Sequence, residues 1–479
     1  MPHVPQARRA LLMTLALSGA ALAPSAAESQ SAERAAIDVV HYDATLDPDL
    51  QAGTVVGAVR IRIVAATGAD ELTLDRGALA IDSVRIGAVD QRFDVRERRV
   101  VVHLDPPLSA GATREIEVAY HGTPRSGLQF PPDRSQVYAI FTTSDWLPSV
   151  DGPHDRATLR LRVTLPAGLA AAGVGRSQPA SPTAGARRVH EWRLDHPAPT
   201  YTFGFAAGRF TEVAAGRLRF LGDGFSAAEL RQVFAETGAM LRFFERRAGV
   251  PYPHATYTQA LVARTAGQEM SGLSLMSEAY GRGVLADPTA ITLGAHEAAH
   301  QWWGNLVTCE AWTHFWLNEG MATFMAAAFL EERFGRPVYD RAVERFRVEY
   351  ARVRDAGGDR SLVFPDWNRP TADDRTLVYQ KGALVLHELR TLLGDQAFWD
   401  GVRAYTRAHA GQSVTTPDFQ KAMEASSKRD LAPFFAQWVY RRPPASPPQP
   451  ALFGQSYLAR VISAPAPRPA AGSCSSTAR

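Results

Sequence analysis

Between about His41 and Val213 apolar residues recur at every second position, in short runs broken by Gly and Pro. The clearest run is Thr158-Leu159-Arg160-Leu161-Arg162-Val163-Thr164-Leu165. Successive side chains of a strand point to opposite faces, so Leu159, Leu161, Val163 and Leu165 share one side and Thr158, Arg160, Arg162 and Thr164 the other, as in a half-buried strand. Val59, Ile61 and Ile63, alternating with Arg60 and Arg62, predict a second strand. Asp105-Pro106-Pro107 and Pro166-Ala167-Gly168 are expected breaks between strands. The N-terminal part is therefore expected to be mostly antiparallel β.

The period changes near Phe225. Ser226-Ala227-Ala228-Glu229 has the form of a capping box, and Leu230, Val233, Phe234, Met240, Leu241, Phe243 and Phe244 then follow at helical intervals up to Gly249. This change places a domain boundary near residue 220. Asp287-Pro288 predicts a helix start, with Gly304-Asn305 closing that helix. A further helix is expected from Trp316 to Phe334, ended by Gly335 and Pro337, and Thr416-Pro417 opens another. Segments 1–27, 38–220, 221–441 and 442–479 thus read as leader, β-rich domain, helical domain and Pro-rich tail, without an internal repeat.

The leader changes the expected location. Arg8-Arg9 precedes an apolar run, Ala10 to Ala23, of 14 residues. A spanning helix needs about 20, and small residues Ser25-Ala26-Ala27 follow, the pattern of a cleavable secretory signal. Export to a periplasm or the exterior is the expectation, with no membrane span left after cleavage. The chain has 479 residues, 46% hydrophobic and 21% charged, with a formal net charge of +3, which suits a globular protein and does not suit a nucleic-acid binder. With two cysteines, Cys309 and Cys474, neither a disulfide framework nor a Cys-ligated zinc site can be built. A metal would have to use His and carboxylate.

The helix expected to begin at Pro288 contains His296-Glu297-Ala298-Ala299-His300. Residues i and i+4 lie on one helix face, so both imidazoles can meet one metal while Glu297 points at the metal's open position. Glu319, in Trp316-Leu317-Asn318-Glu319-Gly320, follows His300 after 18 intervening residues and opens the next helix. Two antiparallel helices joined by a connection of about ten residues return that carboxylate to the His pair.

These motifs, with Gln301-Trp302-Trp303-Gly304-Asn305-Leu306-Val307-Thr308, resemble the aminopeptidase N family of zinc peptidases, which carry HExxH, 18 residues, then Glu in a WLNEG-type motif. The resemblance runs from about residue 38 to 441. It implies an α+β fold: an N-terminal antiparallel β domain followed by a thermolysin-like, mainly helical zinc-peptidase domain. It implies one zinc ion per chain, held by His296, His300 and Glu319, with Glu297 as general base. The family's GxMEN signature is present in altered form as Ala266-Gly267-Gln268-Glu269-Met270, 27 residues before His296 at Glu269. Glu269 then pairs with a peptide's free α-ammonium, with Gly267 and Gln268 as neighbouring substrate-binding positions. Ala266, Gln268 and Met270 depart from the signature. The YxKGA motif is present as Tyr379-Gln380-Lys381-Gly382-Ala383 and makes Tyr379 the phenol donor to the oxyanion.

The implied partners are peptides with a free N terminus and not nucleic acid. A thermolysin-like endopeptidase shares HExxH and Glu but has no use for Glu269, and a non-catalytic binding relative usually loses the base or a ligand; both remain as alternatives. His314, His387 and His409 read as surface or satisfied interior histidines, Trp302, Trp303, Trp312 and Trp316 chiefly as core, and Cys309 as a small buried residue. Longer relatives continue into a small β domain and a helical domain that covers the site, whereas here a Pro-rich stretch follows Tyr440. The expectation is a more open site, or a chain shortened after about Pro450. A glutamine that relatives supply from the N-terminal domain has no counterpart between Phe141 and Asp145.

Overall fold

The computed structural model describes residues 36–440 except positions 134, 184, 265, 266 and 365–369. The expected leader, the segment 442–479, Cys474 and Ala266 lie outside the described residues. No helix among those described is long and apolar enough to cross a membrane.

The long strands of the largest sheet are β1 (Ile37–Asp49), β2 (Thr54–Ala65), β3 (Thr113–Gly122), β4 (Arg156–Pro166) and β5 (Arg187–Pro199), side by side in the order β5-β4-β1-β2-β3. All these pairs are antiparallel except β1 with β4, where His41 to Leu46 run parallel to Thr158 to Val163. The alternation in sequence is the alternation in burial: Leu159, Leu161, Val163 and Leu165 are buried, as are Val59, Ile61 and Ile63. Asp105-Pro106-Pro107 does not break its strand, which continues from Arg99 to Leu108. The register against the neighbouring strand shifts between Ala69 and Glu71, and the prolines occupy this bulge, where no ladder donor is required.

A second sheet holds β6 (Thr211–Ala215), β7 (Leu218–Gly222), β8 (Tyr257–Val262), β9 (Gly267–Met270) and β10 (Leu273–Ser277), in the order β6-β7-β8-β10-β9. The expected boundary at residue 220 falls inside β7. Phe220, Tyr257, Leu261 and Met276 enter a helical core, while Leu221, Ala260, Val262, Met270, Leu273 and Leu275 face the core of the β-rich half. The sheet is thus a wall between two cores.

The helices follow as α1 (Ala227–Val233), α2 (Thr237–Ala248), α3 (Glu278–Ala286), α4 (Thr292–Ala299), α5 (Trp316–Phe334), α6 (Arg336–Asp355), α7 (Ala372–Thr376), α8 (Gly382–Leu393), α9 (Asp395–Ala408), α10 (Thr416–Ser427) and α11 (Ala432–Trp438). The Ser226–Glu229 capping box forms, and Gly249 closes α2 in the left-handed conformation. The HExxH helix starts later than Pro288. Asp287 ends α3, and its carboxylate binds the Thr289 N–H at 2.9 Å and hydroxyl at 2.7 Å, a local turn that competes with helix until Thr292. Gly335 ends α5, but Pro337 sits in the first turn of α6 and stops nothing. Residues 300–315 between α4 and α5 exceed the expected ten and include the strand Thr308–Cys309 and a tight turn at Trp312–His314.

Candidate active site

The HExxH helix α4 is short and lined with small residues. Ala295, Ala298 and Ala299 are fully buried, so the helix fits between the second sheet and α5 with its charged side chains directed into the interior. His300 follows α4 still in right-handed conformation. The chain then folds back, with the Asn305 N–H on the His300 carbonyl at 3.0 Å and Gly304 at φ +135°. A Cβ at Gly304 would lie 2.8 Å from His300 Nδ1, so this glycine leaves room for the imidazole. Glu319 stands in the first turn of α5, where the helix dipole favours a carboxylate.

His296 Nε2 and His300 Nε2 are 2.9 Å apart, and Glu319 Oε2 lies 3.3 Å from each. All three residues are buried. His300 Nδ1 donates to the Trp303 carbonyl at 2.9 Å, which fixes the tautomer and leaves Nε2 as a lone pair. His296 Nδ1 is 3.4 Å from the Thr323 hydroxyl. Two imidazole lone pairs and a carboxylate oxygen this close repel one another unless a cation lies among them. The surrounding charge asks for the same cation. Burial disfavours a positive charge at His300, but Glu319, Glu269 and Glu297 outweigh it and favour positive charge there; burial pushes Glu319 up, and His300 and His296 outweigh that and hold it ionised. Two nitrogens and one carboxylate with an open side suit zinc.

Glu297 follows its ligand histidine. A Cβ on Gly267 of β9 would overlap Glu297 Oε1, so the glycine makes the space in which that carboxylate rests, while Oε2 has no hydrogen-bond partner. Burial raises the Glu297 carboxyl well above the ordinary range; His300 opposes this, and Glu269 and Glu319 add to it. Glu269 is on the edge strand β9 and is also buried, not exposed as an edge position would suggest. Its Oε2 accepts from Gln268 Nε2 at 3.1 Å, and its Oε1 is buried without a partner. Gln268 is 0% exposed, and Met270 packs toward Gly204 of the β-rich half. Gln268, expected as a neighbouring substrate-binding position, reaches the Glu269 carboxylate through its amide and not an open surface.

Tyr379 lies in a five-residue π-helical segment, Leu377–Lys381, of the kind often found at functional sites. Its ring stacks on His296, with centroids 5.9 Å apart and planes at 18°. Burial, then Glu319 and Glu269, raise its phenol, which keeps it a donor. The glycines of the two motifs explain this approach: a Cβ at Gly320 would meet the Gly382 Cα at 2.9 Å, so α5 and α8 touch backbone to backbone. Lys381 is structural, with Nζ on Asp359 Oδ1 and the Arg360 carbonyl, both at 2.8 Å.

Several supporting contacts have no signature in the sequence. Gln301 accepts from the Gly272 N–H at 2.9 Å and donates to the Met270 carbonyl at 3.1 Å, pinning the β9–β10 turn to the HExxH segment. Tyr201 of the β-rich half donates to the Gly304 carbonyl at 2.8 Å, and Asn318 Nδ2 donates to the Tyr201 hydroxyl at 3.2 Å. Thr323 had a signal: it is four residues after Glu319 and so on the same face of α5. The other histidines stay apart from the metal set. His314 bonds Thr416 Oγ1 at 3.0 Å, His387 bonds Tyr339 at 2.8 Å, and His409 is half-buried with Nδ1 3.4 Å from Gln412 Oε1. Trp302, Trp303 and Trp316 are core, Trp312 packs on Tyr201 at 5.2 Å, and the buried Cys309 thiol is pushed up by burial.

Two family domains match the chain: the Peptidase family M1 domain over residues 233–438 and the Peptidase M1 N-terminal domain over residues 39–202. Leucine aminopeptidase 2 of Emericella nidulans is 26% identical over 365 residues, covering 72% of this chain and 58% of that protein. Aminopeptidase N of Lactococcus lactis subsp. lactis is 31% identical over 217 residues, covering 42% of this chain and 25% of that protein. The chain thus spans less than two thirds of these curated relatives. An M1 zinc metallopeptidase from Deinococcus radiodurans superposes with a TM-score of 0.72 at 26% identity, over 87% of this chain and 97% of that one. With both family domains in sequence order and the two-histidine, one-glutamate set assembled as the resemblance implied, the chain belongs to the M1 family of zinc metallopeptidases.

Proposed function

We propose that the chain is a zinc aminopeptidase that removes the N-terminal residue of peptides. The observation that carries this reading is the unpartnered, buried Glu269 Oε1 beside the HExxH set: a carboxylate in a dry site calls for a cation, and a peptide's α-ammonium is the cation that arrives with the substrate. The Deinococcus radiodurans relative has a structure described as bound to a Tyr-Ser-Ala substrate, which supports peptides as the substrate class.

Zinc held by His296, His300 and Glu319 would supply a Lewis acid and an acidified water at the scissile bond. Glu297, with its affinity for protons raised by burial, takes the proton of the attacking water and delivers it to the leaving amine. Tyr379 donates its phenol hydrogen to the oxygen that gains charge, a contribution of about 3 kcal/mol for one such donor. Glu269 fixes the amino end, so the first peptide bond, and not a later one, lies before Glu297.

The test is hydrolysis of a panel of aminoacyl-4-nitroanilides beside Glu297→Gln and N-acetylated controls. Activity lost on acetylation, on Glu297→Gln and on chelation is the expected result. Equal activity on acetylated peptides would establish an endopeptidase instead, and silence with zinc bound would favour a binding protein. We also propose export, on the strength of Arg8-Arg9, the apolar run and Ser25-Ala26-Ala27; N-terminal sequencing of the mature protein should begin near Glu28, and an intact Met1 would refute it.

A further inference from the structure

Strand β9 divides its four residues between two sides. Gly267 and Glu269 face the chamber with Glu297, and Gln268 and Met270 face the β-rich half. Gln268 is fully buried, and both ends of its amide are engaged. Its Oε1 accepts the backbone N–H of Phe141 at 2.8 Å, and its Nε2 donates to Glu269 Oε2 at 3.1 Å. The orientation of the amide is settled by this network, because a backbone N–H can only donate and the carboxylate can only accept. Phe141 has φ +39°, a left-handed conformation that a bulky residue adopts only when its surroundings impose it. The strained residue aims its N–H at Gln268.

We propose that Gln268 is a positioning residue for the amino-end subsite: tethered to Phe141 of the β-rich half, it holds one oxygen of Glu269 and leaves the other aimed at the substrate's α-ammonium. The signature this segment resembles has Met at this position, which can neither donate to the carboxylate nor accept from Phe141. The same amide links the orientation of Glu269 to the first half of the chain, where no glutamine between Phe141 and Asp145 was available to do it. The inference rests on the aminopeptidase reading.

The test separates tether from donor. In the Glu297→Gln background, where peptide persists, calorimetry compares Tyr-Ser-Ala with N-acetyl-Tyr-Ser-Ala for chains carrying Gln268, Gln268→Met or Gln268→Glu. Gln268→Met removes both hydrogen bonds. Gln268→Glu can keep the bond from Phe141 but turns an acceptor toward Glu269. Both substitutions are expected to weaken binding of the free-amine peptide by about tenfold and to leave the acetylated peptide unchanged. In the otherwise unaltered enzyme they should raise KM by a similar factor with kcat changed less than about threefold. Melting temperature and zinc content report folding, and Gln268→Glu decides if Gln268→Met does not fold. A Gln268→Glu protein that keeps the full preference for the free amine would reduce Gln268 to a structural tether and overturn the proposal. If the Gln268 chain itself does not distinguish the two peptides while Glu269→Gln is equally indifferent, the aminopeptidase reading falls first and takes this inference with it.

Discussion

Gly267→Ala should separate activity from stability. Gly267 has no positive φ, so alanine is permitted by the backbone. Its new methyl would overlap Glu297 Oε1 and stand 2.9 Å from Glu297 Cδ and 3.1 Å from Leu293 Cδ1. What must yield is the end of a flexible side chain. Rotating the Glu297 carboxylate off its rotamer costs about 0.5–1.5 kcal/mol. The loss of unfolded-chain freedom on replacing glycine returns about 0.4–1 kcal/mol, so stability should change by no more than about 1 kcal/mol. Catalysis is not protected in this way, because a displacement of about 1 Å in a catalytic group costs about a hundredfold in rate. The expected result is kcat down about a hundredfold on the best aminoacyl-4-nitroanilide, KM within about threefold and one zinc per chain by elemental analysis. A kcat within about fivefold of the parent, with Glu297→Gln inactive, would refute the claim that Gly267 sets the place of the base.

Tyr379→Phe should lower kcat by about a hundredfold or more with little change in KM, and unchanged kcat would remove the phenol from the reaction. Gly320→Ala pushes two helix backbones apart, since Gly382 Cα and the Val378 carbonyl stand at 2.9 and 3.1 Å, and chemical denaturation should show a loss of about 1–3 kcal/mol where a harmless change would show none. Asp155 supplies a pH dependence away from the metal: burial, reinforced by Asp38, raises its carboxyl from 3.8 to about 7. Between these values the folded state binds the extra proton, so the contribution of Asp155 is fully present below pH 4 and is lost as pH rises through about 7. Asp155→Asn should therefore narrow the difference in urea stability between mildly acidic and neutral pH, and an unchanged difference would contradict the assignment.

Local periodicity made the strands and most helices legible, because alternation and helical spacing translate directly into the burial of Leu159 to Leu165 or of Leu230 and Val233. The metal set was legible for the same reason: His296 and His300 share a helix face, and Glu319 opens the next helix. Boundaries were lost where side chains compete with the main chain, as Asp287 does by binding Thr289, or where a register shift shelters Pro106 and Pro107. The support of the site was mostly illegible because it is made through space. Trp303 contributes a carbonyl, which no residue type encodes. Gly320 and Gly382 matter only to each other, across 61 intervening residues. Tyr201 and Phe141 reach the chamber from the first half of the chain, and no spacing rule connects them to it.

The second sheet, whose two faces feed different hydrophobic cores, makes the halves interdependent in folding. A cut near residue 220 would divide β7, whose Phe220 and Leu221 serve opposite cores, and would strip Met270, Leu273 and Leu275 of the surface they pack on. Those residues flank Glu269 or anchor the strand beside it. The helical half prepared alone would therefore expose an apolar sheet face and loosen the strand that carries the amino-end carboxylate. Cooperativity and specificity here have a common origin: the wall that couples melting of the two halves also holds Glu269 and Gly267 before Glu297.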